Sequence, residues 1–209
     1  MVEAEDVLEA DLSKDSDYPP GGRLRFFAGA WARATRFQTK VVSSGLVLHW
    51  KGKMPPLSLP KKSYKHPDPI VTHLVTKFEK AGVISKVPNQ SCFLSHVFKV
   101  PKASGEARLI LNLTRLNKFL VPSTFRMTSH KMLQNLVNQG DFMAKLDIQD
   151  AYVHIPIQER FRKFLAFQWQ GELFMYNALP FGLCTAPYVF TKMMEFPITI
   201  LRKKGIKVY

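Results

Sequence analysis

The segment Lys145–Tyr152, with the sequence KLDIQDAY, constrains the fold more than any other part of the chain. The apolar run Phe142–Ile148 predicts a buried β-strand, and Asp147 lies near the end of that strand. A carboxylate buried there is costly unless a cation or hydrogen-bond donors compensate its charge. Because Mg²⁺ prefers carboxylate oxygens and retained waters, a divalent metal site is one interpretation. The alternative is an aspartate that caps the following turn, where Asp150 also lies.

Two further stretches could bind a nucleotide-like ligand, although each by itself is compatible with an ordinary surface segment. Pro180 and Gly182 fix a tight loop in ALPFGLCTAP, and the backbone of such a loop can approach a flat ligand closely. Lys102 and Arg108 lie on facing strands of a predicted hairpin, where an ammonium and a guanidinium could hold a polyphosphate. The alternative for the hairpin is a solvated basic surface.

Hydrophobic periodicity and turn signals predict short strands that alternate with helices. Asp68 and Pro69 begin one helix as its N-cap and first-turn proline, and Gly82 ends it. The residues 103–105 and 170–171 each mark the turn of a hairpin. The other predicted elements are a short amphipathic helix within 21–36, strands at 83–87, 94–100, 107–113, 142–148, 164–169 and 173–178, a helix at 129–138, a helix from 185 past 194 that Pro197 disturbs, and a strand that begins at Ile206.

Charge and composition narrow the classes of partner. The net charge is +14, and residues 1–20 hold seven acids and one base, which leaves 29 bases, 9 acids and a net charge of +20 in residues 21–209. Such a surface attracts polyanions because each neutralised phosphate releases counterions, so nucleic acid is the first candidate partner and an anionic membrane the second. No apolar run of about 18 residues and no signal-peptide pattern occur, so we expect no transmembrane helix and a cytoplasmic or nuclear location. Cys92 and Cys184 are too few for a disulfide framework or a zinc site.

Five motifs in a fixed order carry a family resemblance over about residues 80–209. They are the basic hairpin, LNLTRLNKFL (111–120), KLDIQDAY (145–152), RKFLAF (162–167) and LPFGLCTAP (179–187). The sequence resembles the reverse transcriptases of retroelements. The phrases AYVHIPI, LPFGLCTAPYVFTK and GIKVY, with GGRLRFF and VVSSG upstream, are most similar to the retrotransposons that integrate with a tyrosine recombinase, the DIRS-like elements.

The resemblance implies a role for each motif residue. Asp147 would be the first of three palm aspartates that bind two Mg²⁺ ions, with the Ile148 carbonyl as a further ligand. Tyr152 would be the steric gate that excludes a ribose 2′-OH. The residues that would contact the nucleotide are Lys102, Arg108, Ile148, Asp150, Ala151, Tyr152, Phe181 and Gly182. Phe181 departs from the glutamine of many retroviral enzymes but is common in retrotransposon versions.

The resemblance also implies an α+β fold of the right-hand polymerase type, with fingers and a partial palm and without a thumb. We expect an acidic disordered tail at 1–20, an N-terminal extension and Pro/Lys-rich connector at 21–69, fingers at 70–140 and part of the palm at 141–209. In the family, Tyr209 would be followed by one residue and an Asp-Asp pair, which this sequence does not contain.

The parent enzyme would add dNTPs to a primer on an RNA or DNA template, and its polyprotein would carry a ribonuclease H domain as well. The 209-residue chain itself is expected to be an inactive fragment of that enzyme. The alternative is a non-catalytic, basic nucleic-acid-binding remnant. The sequence does not determine the oligomeric state.

Overall fold

A computed structural model of the chain describes residues 18–60, 68–101, 107–123 and 137–208. The α-helices are α1 (Arg36–Ser44), α2 (Pro69–Lys80), α3 (Thr114–Asn117), α4 (Glu159–Arg162) and α5 (Ala186–Lys203). The strands are β1 (Ile84–Val87), β2 (Leu94–Ser95), β3 (Val97–Pro101), β4 (Ala107–Leu111), β5 (Ala166–Trp169) and β6 (Glu172–Tyr176). Two 3₁₀ helices span Arg23–Phe27 and Ala151–His154. None of the described helices is long and apolar enough to span a membrane.

The strands form two sheets. The larger has the order β1-β6-β5-β2, in which only β5 and β2 are parallel. The smaller is the antiparallel hairpin β3-β4, in which Val100 pairs with Arg108. Both hairpins predicted from turn signals, β3-β4 and β5-β6, are therefore confirmed. Phe167, Tyr176 and Leu165 are buried where the larger sheet meets the helices, and they belong to one apolar core.

Helix α2 follows the sequence prediction closely. The Asp68 carboxylate accepts hydrogen bonds from the backbone N–H groups of Ile70 and Val71, so it caps the two amides that the first turn leaves unpaired. Pro69 occupies the first helical position, where its missing N–H is of no consequence. Val71, Leu74 and Val75 are buried along one face, as their spacing predicts.

Residues 18–50 pack against the rest of the protein. Gly22 donates its backbone N–H to Val153 at 2.7 Å, and Leu46 forms a bridge to Ile157. Gln38 is 2% exposed and donates its amide to the Lys192 carbonyl of α5 at 2.6 Å. The domain boundaries at 20, 69 and 140 stay predictions. Within the described residues, however, the N-terminal extension shares the core of the sheets and helices that follow it.

Three predicted elements were wrong. The segment 21–36 forms a 3₁₀ helix and turns, not an amphipathic α-helix, because Gly22 has a φ of +66° and Gly29 further lowers the helix propensity. The segment 142–148 forms no strand, because no described strand lies beside it to accept its backbone hydrogen bonds. Residues 206–208 form none either. The predicted helix at 129–138 lies almost entirely outside the described residues.

Helix α5 runs through Pro197 to Lys203, so the proline does not end it. Pro197 has no N–H to offer the carbonyl four residues earlier, and such a position costs helix stability. The helix is nevertheless held by tertiary contacts on both sides of its middle. Gln38 bonds the Lys192 carbonyl, and the Trp31 ring lies 5.1 Å from the Phe196 ring.

Candidate nucleotide-binding site

The turn at Asp150–His154 presents the first side chain of the candidate site. Asp150 has a φ of +49°, a left-handed conformation that aspartate tolerates better than most residues, and the 3₁₀ helix Ala151–His154 follows it. The buried Val153 side chain anchors this turn in the core, and its carbonyl accepts the Gly22 N–H. The neighbouring Tyr152 is half-buried, with its ring directed at two phenylalanines.

The loop before α5 presents the second side chain, Phe181. The next residue, Gly182, has a φ of +98°, and a Cβ built there would lie 2.7 Å from the Leu111 carbonyl oxygen. Only glycine fits such a close approach to β4 without displacement of one backbone or the other. The absence of a side chain at Gly182 therefore allows the Phe181 loop to lie directly against the strand that carries Arg108.

Asn117 fastens this loop to the short helix α3. Its side-chain amide donates to the Gly182 carbonyl at 2.8 Å, and its side-chain oxygen accepts the Cys184 backbone N–H at 3.0 Å. The Asn117 side chain therefore pairs with the backbone carbonyl before Leu183 and with the backbone N–H after it. The loop lies about 65 residues further along the chain. Asn117 lies within the LNLTRLNKFL motif, but we assigned it no role from sequence because nothing local indicates a partner so far along the chain.

Four side chains, three aromatic and one basic, meet at this site. The Tyr152 ring lies 4.9 Å from the Phe181 ring and 5.6 Å from the Phe190 ring. On the other side, the Arg108 guanidinium lies 4.7 Å from the centre of the Phe181 ring. The ring holds the guanidinium in place through a cation–π contact while leaving its N–H groups in solvent.

The arrangement suits a ligand that is flat and apolar at one end and anionic at the other. The aromatic rings of Tyr152 and Phe181 provide a surface for the apolar part. Arg108 provides a fork of donors for phosphate oxygens at the edge of that surface. Lys102, the other predicted phosphate ligand, lies outside the described residues.

Three other predicted site residues line a neighbouring cavity that shares the Phe190 ring with this group. Ile148, Asp150 and Ala151 line a cavity of about 540 Å³ behind the 3₁₀ turn, and Tyr152, Phe181 and Arg108 do not contribute to it. Asp147 and Ile148 are exposed, and Asp147 precedes the turn on a segment without regular structure. The prediction that Asp147 lies near the end of a buried strand is therefore wrong, because that strand is not formed.

The donor set for a metal ion is only partial in the described residues. The Asp147 carboxylate and the Ile148 carbonyl are oxygen ligands of the kind that Mg²⁺ prefers, and they are adjacent in sequence. No group of three or more His, Cys, Asp or Glu side chains that could hold a metal occurs in the part of the chain that the structure describes. Earlier in the same segment, a hydrogen bond from Lys207 to Asp141 at 2.7 Å lowers the pKa of the Asp141 carboxyl.

Sequence comparison identifies the family. Residues 100–209, slightly more than half of the chain, match the family described as reverse transcriptase (RNA-dependent DNA polymerase). The chain belongs to the reverse transcriptase family. The match includes the β4 strand with Arg108, the Tyr152 turn and the Phe181 loop, so the ring and guanidinium cluster lies inside the family domain.

Curated relatives of this reverse transcriptase domain are polyproteins. The chain is 29% identical over 155 residues to the Pol polyprotein of equine infectious anemia virus (isolate 1369), a match that covers 68% of the chain and 13% of that polyprotein. It is 28% identical over 111 residues to the Transposon Tf2-3 polyprotein of Schizosaccharomyces pombe, which covers 53% of the chain and 8% of the polyprotein. The chain therefore spans only a small part of these relatives.

Solved structures of reverse transcriptases share the fold. The native protease-reverse transcriptase of prototype foamy virus aligns with a TM-score of 0.54 at 25% identity, over 79% of this chain and 22% of that one. A foamy viral protease-reverse transcriptase in complex with double-stranded DNA aligns with a TM-score of 0.56 at 19% identity, over 89% of this chain and 36% of that one. The predicted α+β fold is confirmed, and the chain corresponds to the fingers and palm region of such a domain.

Proposed function

We propose that this chain is the fingers and partial palm of an RNA-directed DNA polymerase encoded by a retroelement, which adds dNTPs to a primer on an RNA or DNA template. The observation that supports this proposal most directly is the meeting of Arg108, Phe181 and Tyr152. These residues come from three of the five motifs, and their side chains converge within about 5 Å of one ring.

In this proposal each side chain contacts a different part of the incoming nucleotide. Arg108, with Lys102, holds the triphosphate, and the Tyr152 ring lies under the sugar, where it leaves room for hydrogen but not for a 2′-hydroxyl. Phe181 supports both, since it packs against the guanidinium on one side and the tyrosine ring on the other. Asn117 and Gly182 hold the Phe181 loop at the correct distance from β4.

Asp147 and the Ile148 carbonyl would hold part of a two-Mg²⁺ site, with Asp150 in support. Two ions in such a site activate the primer 3′-hydroxyl and stabilise the pyrophosphate leaving group. Among the five motifs, only KLDIQDAY contains aspartates, and these are Asp147 and Asp150.

The same proposal extends to the subclass of retroelement, the parent polyprotein and the location of the protein in the cell. The phrases AYVHIPI, LPFGLCTAPYVFTK and GIKVY support a DIRS-like retrotransposon, whose polyprotein would also carry ribonuclease H. A cytoplasmic or nuclear location accords with that assignment. A second candidate function, a non-catalytic nucleic-acid-binding remnant, is favoured by the incomplete acidic set together with the strongly basic body.

The proposal is tested by the affinity of dTTP for the chain in the presence of Mg²⁺ and a primed RNA template. Arg108→Gln should weaken dTTP binding about tenfold or more, as expected when hydrogen bonds to a charged group are lost. The matched control is Arg33→Gln, which removes one exposed arginine from the N-terminal turns and should leave the affinity unchanged. Equal affinities for the two variants would contradict the assignment of Arg108 to the triphosphate.

A further inference from the structure

The N-terminal extension contacts the turn that carries Tyr152. The Gly22 N–H donates to the Val153 carbonyl at 2.7 Å, one residue after the tyrosine. The Leu46 N–H donates to the Pro156 carbonyl at 2.7 Å, just beyond the same turn. The family match begins at residue 100, so both donors belong to a part of the chain that lies outside the matched residues.

Few other contacts fix the position of this turn. Among the described residues, the bond from Gly22 is the one backbone hydrogen bond that reaches residues 150–154 from another element. The segment before the turn, 141–148, has no regular structure. The buried Val153 side chain borders the cavity of about 540 Å³, which Leu24 and Trp31 of the extension also line. Because this space leaves room for the turn to shift, the hydrogen bond restrains it where packing is incomplete.

The hydrogen bond comes from a pair of glycines, Gly21 and Gly22, which we call the glycine pair. The Gly21 N–H donates to the Ala81 carbonyl at 2.9 Å, and a Cβ built on Gly21 would overlap the Gly82 carbonyl carbon just after α2. Gly22 has a φ of +66°, a left-handed conformation that glycine adopts without steric cost. The pair fits between the end of α2 and the Tyr152 turn because neither residue has a side chain.

Residues on both sides of the glycine pair hold it in one conformation. The Arg23 guanidinium donates to the Tyr18 carbonyl, with Nη2 at 2.6 Å and Nε at 3.1 Å from the oxygen. The Tyr18 ring stacks on the Phe26 ring, with 4.5 Å between the ring centres. The pair therefore donates its hydrogen bond from a segment whose own contacts already order it.

We propose that Gly22 is a positioning residue for sugar selection, which acts through its hydrogen bond to Val153. The bond holds the Tyr152 ring in its place beside the Phe181 and Phe190 rings. Val153 follows the tyrosine within one 3₁₀ turn, so a shift of its backbone moves the ring as well. A displacement of about 1 Å is enough to alter how an active site treats its substrate. This role rests on the proposed function, in which the ring excludes a ribose 2′-hydroxyl.

The test compares two substitutions that differ in backbone strain, Gly22→Val and Gly22→Asn. Both place a Cβ 3.1 Å from the Pro156 Cβ, but asparagine tolerates the left-handed region and a β-branched residue does not. The measured quantity is the ratio of Kd for ATP over dATP, with a primed template and Mg²⁺. Gly22→Val should lower this ratio about three- to tenfold, the range expected when one hydrogen bond is lost, and Gly22→Asn should lower it clearly less. Where Gly22→Val does not fold, Gly22→Ala takes its place.

Two variants in the same extension control for side-chain size and for stability. Gly29→Val adds the same side chain where a Cβ would meet nothing within 4 Å. Val42→Ala removes methyl groups from a fully buried position on α1, which should lower Tm while the Gly22 hydrogen bond stays in place. Both variants should keep the wild-type ratio. An equal fall of the ratio in Val42→Ala would show that any loss of stability has this effect, which would overturn the proposal.

Hydrogen–deuterium exchange measures the turn itself, without nucleotide. The Val153 and Ile155 N–H groups bond within the turn and should exchange faster in Gly22→Val than in the wild type and the two controls. The proposal requires both faster exchange and a lower ratio. If either is absent while Tyr152→Ala still brings the ratio close to one, the positioning role is wrong and the proposed function stands. If Tyr152→Ala keeps the wild-type ratio, the sugar gate is wrong and the role of Gly22 falls with it.

Discussion

Replacement of Gly182 by alanine should separate the Phe181 loop from β4. The new Cβ would lie 2.7 Å from the Leu111 carbonyl oxygen, closer than a carbon and an oxygen can pack. The backbone fixes the positions of both atoms, so neither can rotate away. Alanine at a φ of +98° carries its own strain in addition. The loop must therefore move away from the strand, which lengthens the hydrogen bond from Asn117 and shifts Phe181 relative to Arg108.

The magnitude follows from comparison with Gly171→Ala. Gly171 has a φ of +83°, and a Cβ there would meet nothing within 4 Å, so its replacement costs only the backbone strain of about 1–3 kcal/mol. Gly182→Ala should cost a similar amount plus about 1–3 kcal/mol for overpacking. For a chain of this size each kcal/mol lowers Tm by about 2–4 °C, so the difference between the variants should be roughly 2–12 °C.

Scanning calorimetry of both variants measures this difference, and dTTP titrations measure its local consequence. Gly182→Ala should weaken dTTP binding because Phe181 no longer supports Arg108, whereas Gly171→Ala, in the β5-β6 turn, should leave the affinity unchanged. The same loss of Tm in both variants, together with the same dTTP affinity, would refute the steric account of the loop.

Three other outcomes are expected. The 209-residue chain should incorporate no dNTP on a primed RNA template, because its sequence lacks the further aspartates of a two-metal site, and incorporation that Asp147→Ala abolishes would contradict this. Phe142→Ser with Leu146→Ser should raise the concentration at which the chain stays monomeric in size-exclusion chromatography, since both side chains are exposed on an unpaired segment; an unchanged elution profile would argue against it. Burial raises the pKa of the Cys92 thiol to about 11, above its unfolded value, so its contribution to stability is present below about pH 8.5 and is lost as the pH rises towards 11. Denaturant melts between those pH limits should show that the free energy of unfolding falls more steeply with pH in the wild type than in Cys92→Ala. The same pH dependence in both proteins would show that Cys92 does not contribute.

Local signals predicted the elements whose stability is local. Asp68 and Pro69 begin α2 because a cap and a first-turn proline act within one turn, and the β5-β6 hairpin forms around the Gln170-Gly171 turn. The predicted strand at 142–148 failed for the opposite reason. Its composition is that of a buried strand, but a strand also needs a neighbour to pair its backbone, and sequence composition does not report whether a neighbour is present.

The candidate site was predictable only in part. Arg108, Tyr152, Phe181 and Gly182 were assigned through the resemblance, and the structure brings these four together. The role of Asn117 was not predicted, because its two hydrogen bonds reach residues about 65 positions away. Asp147 was expected near the end of a buried strand, and it is exposed because the surrounding segment does not form that strand.

In the proposed site, Tyr152 is the residue that selects the sugar. Its ring, 4.9 Å from Phe181 and 5.6 Å from Phe190, would fill the space that a ribose 2′-hydroxyl requires. Tyr152→Phe keeps the ring and should keep the discrimination, whereas Tyr152→Ala removes the ring and should admit both sugars. A tyrosine with only a structural role would instead weaken both nucleotides alike when it is replaced by alanine.

The direct measurement is the ratio of Kd for ATP over dATP, determined for the three proteins with a primed template and Mg²⁺. Wild type and Tyr152→Phe should both prefer dATP by about tenfold or more, equivalent to about 1.4 kcal/mol, and Tyr152→Ala should bring the ratio close to one. A Tyr152→Ala protein that is folded and keeps the wild-type ratio would contradict the assignment of this site to deoxynucleotide selection.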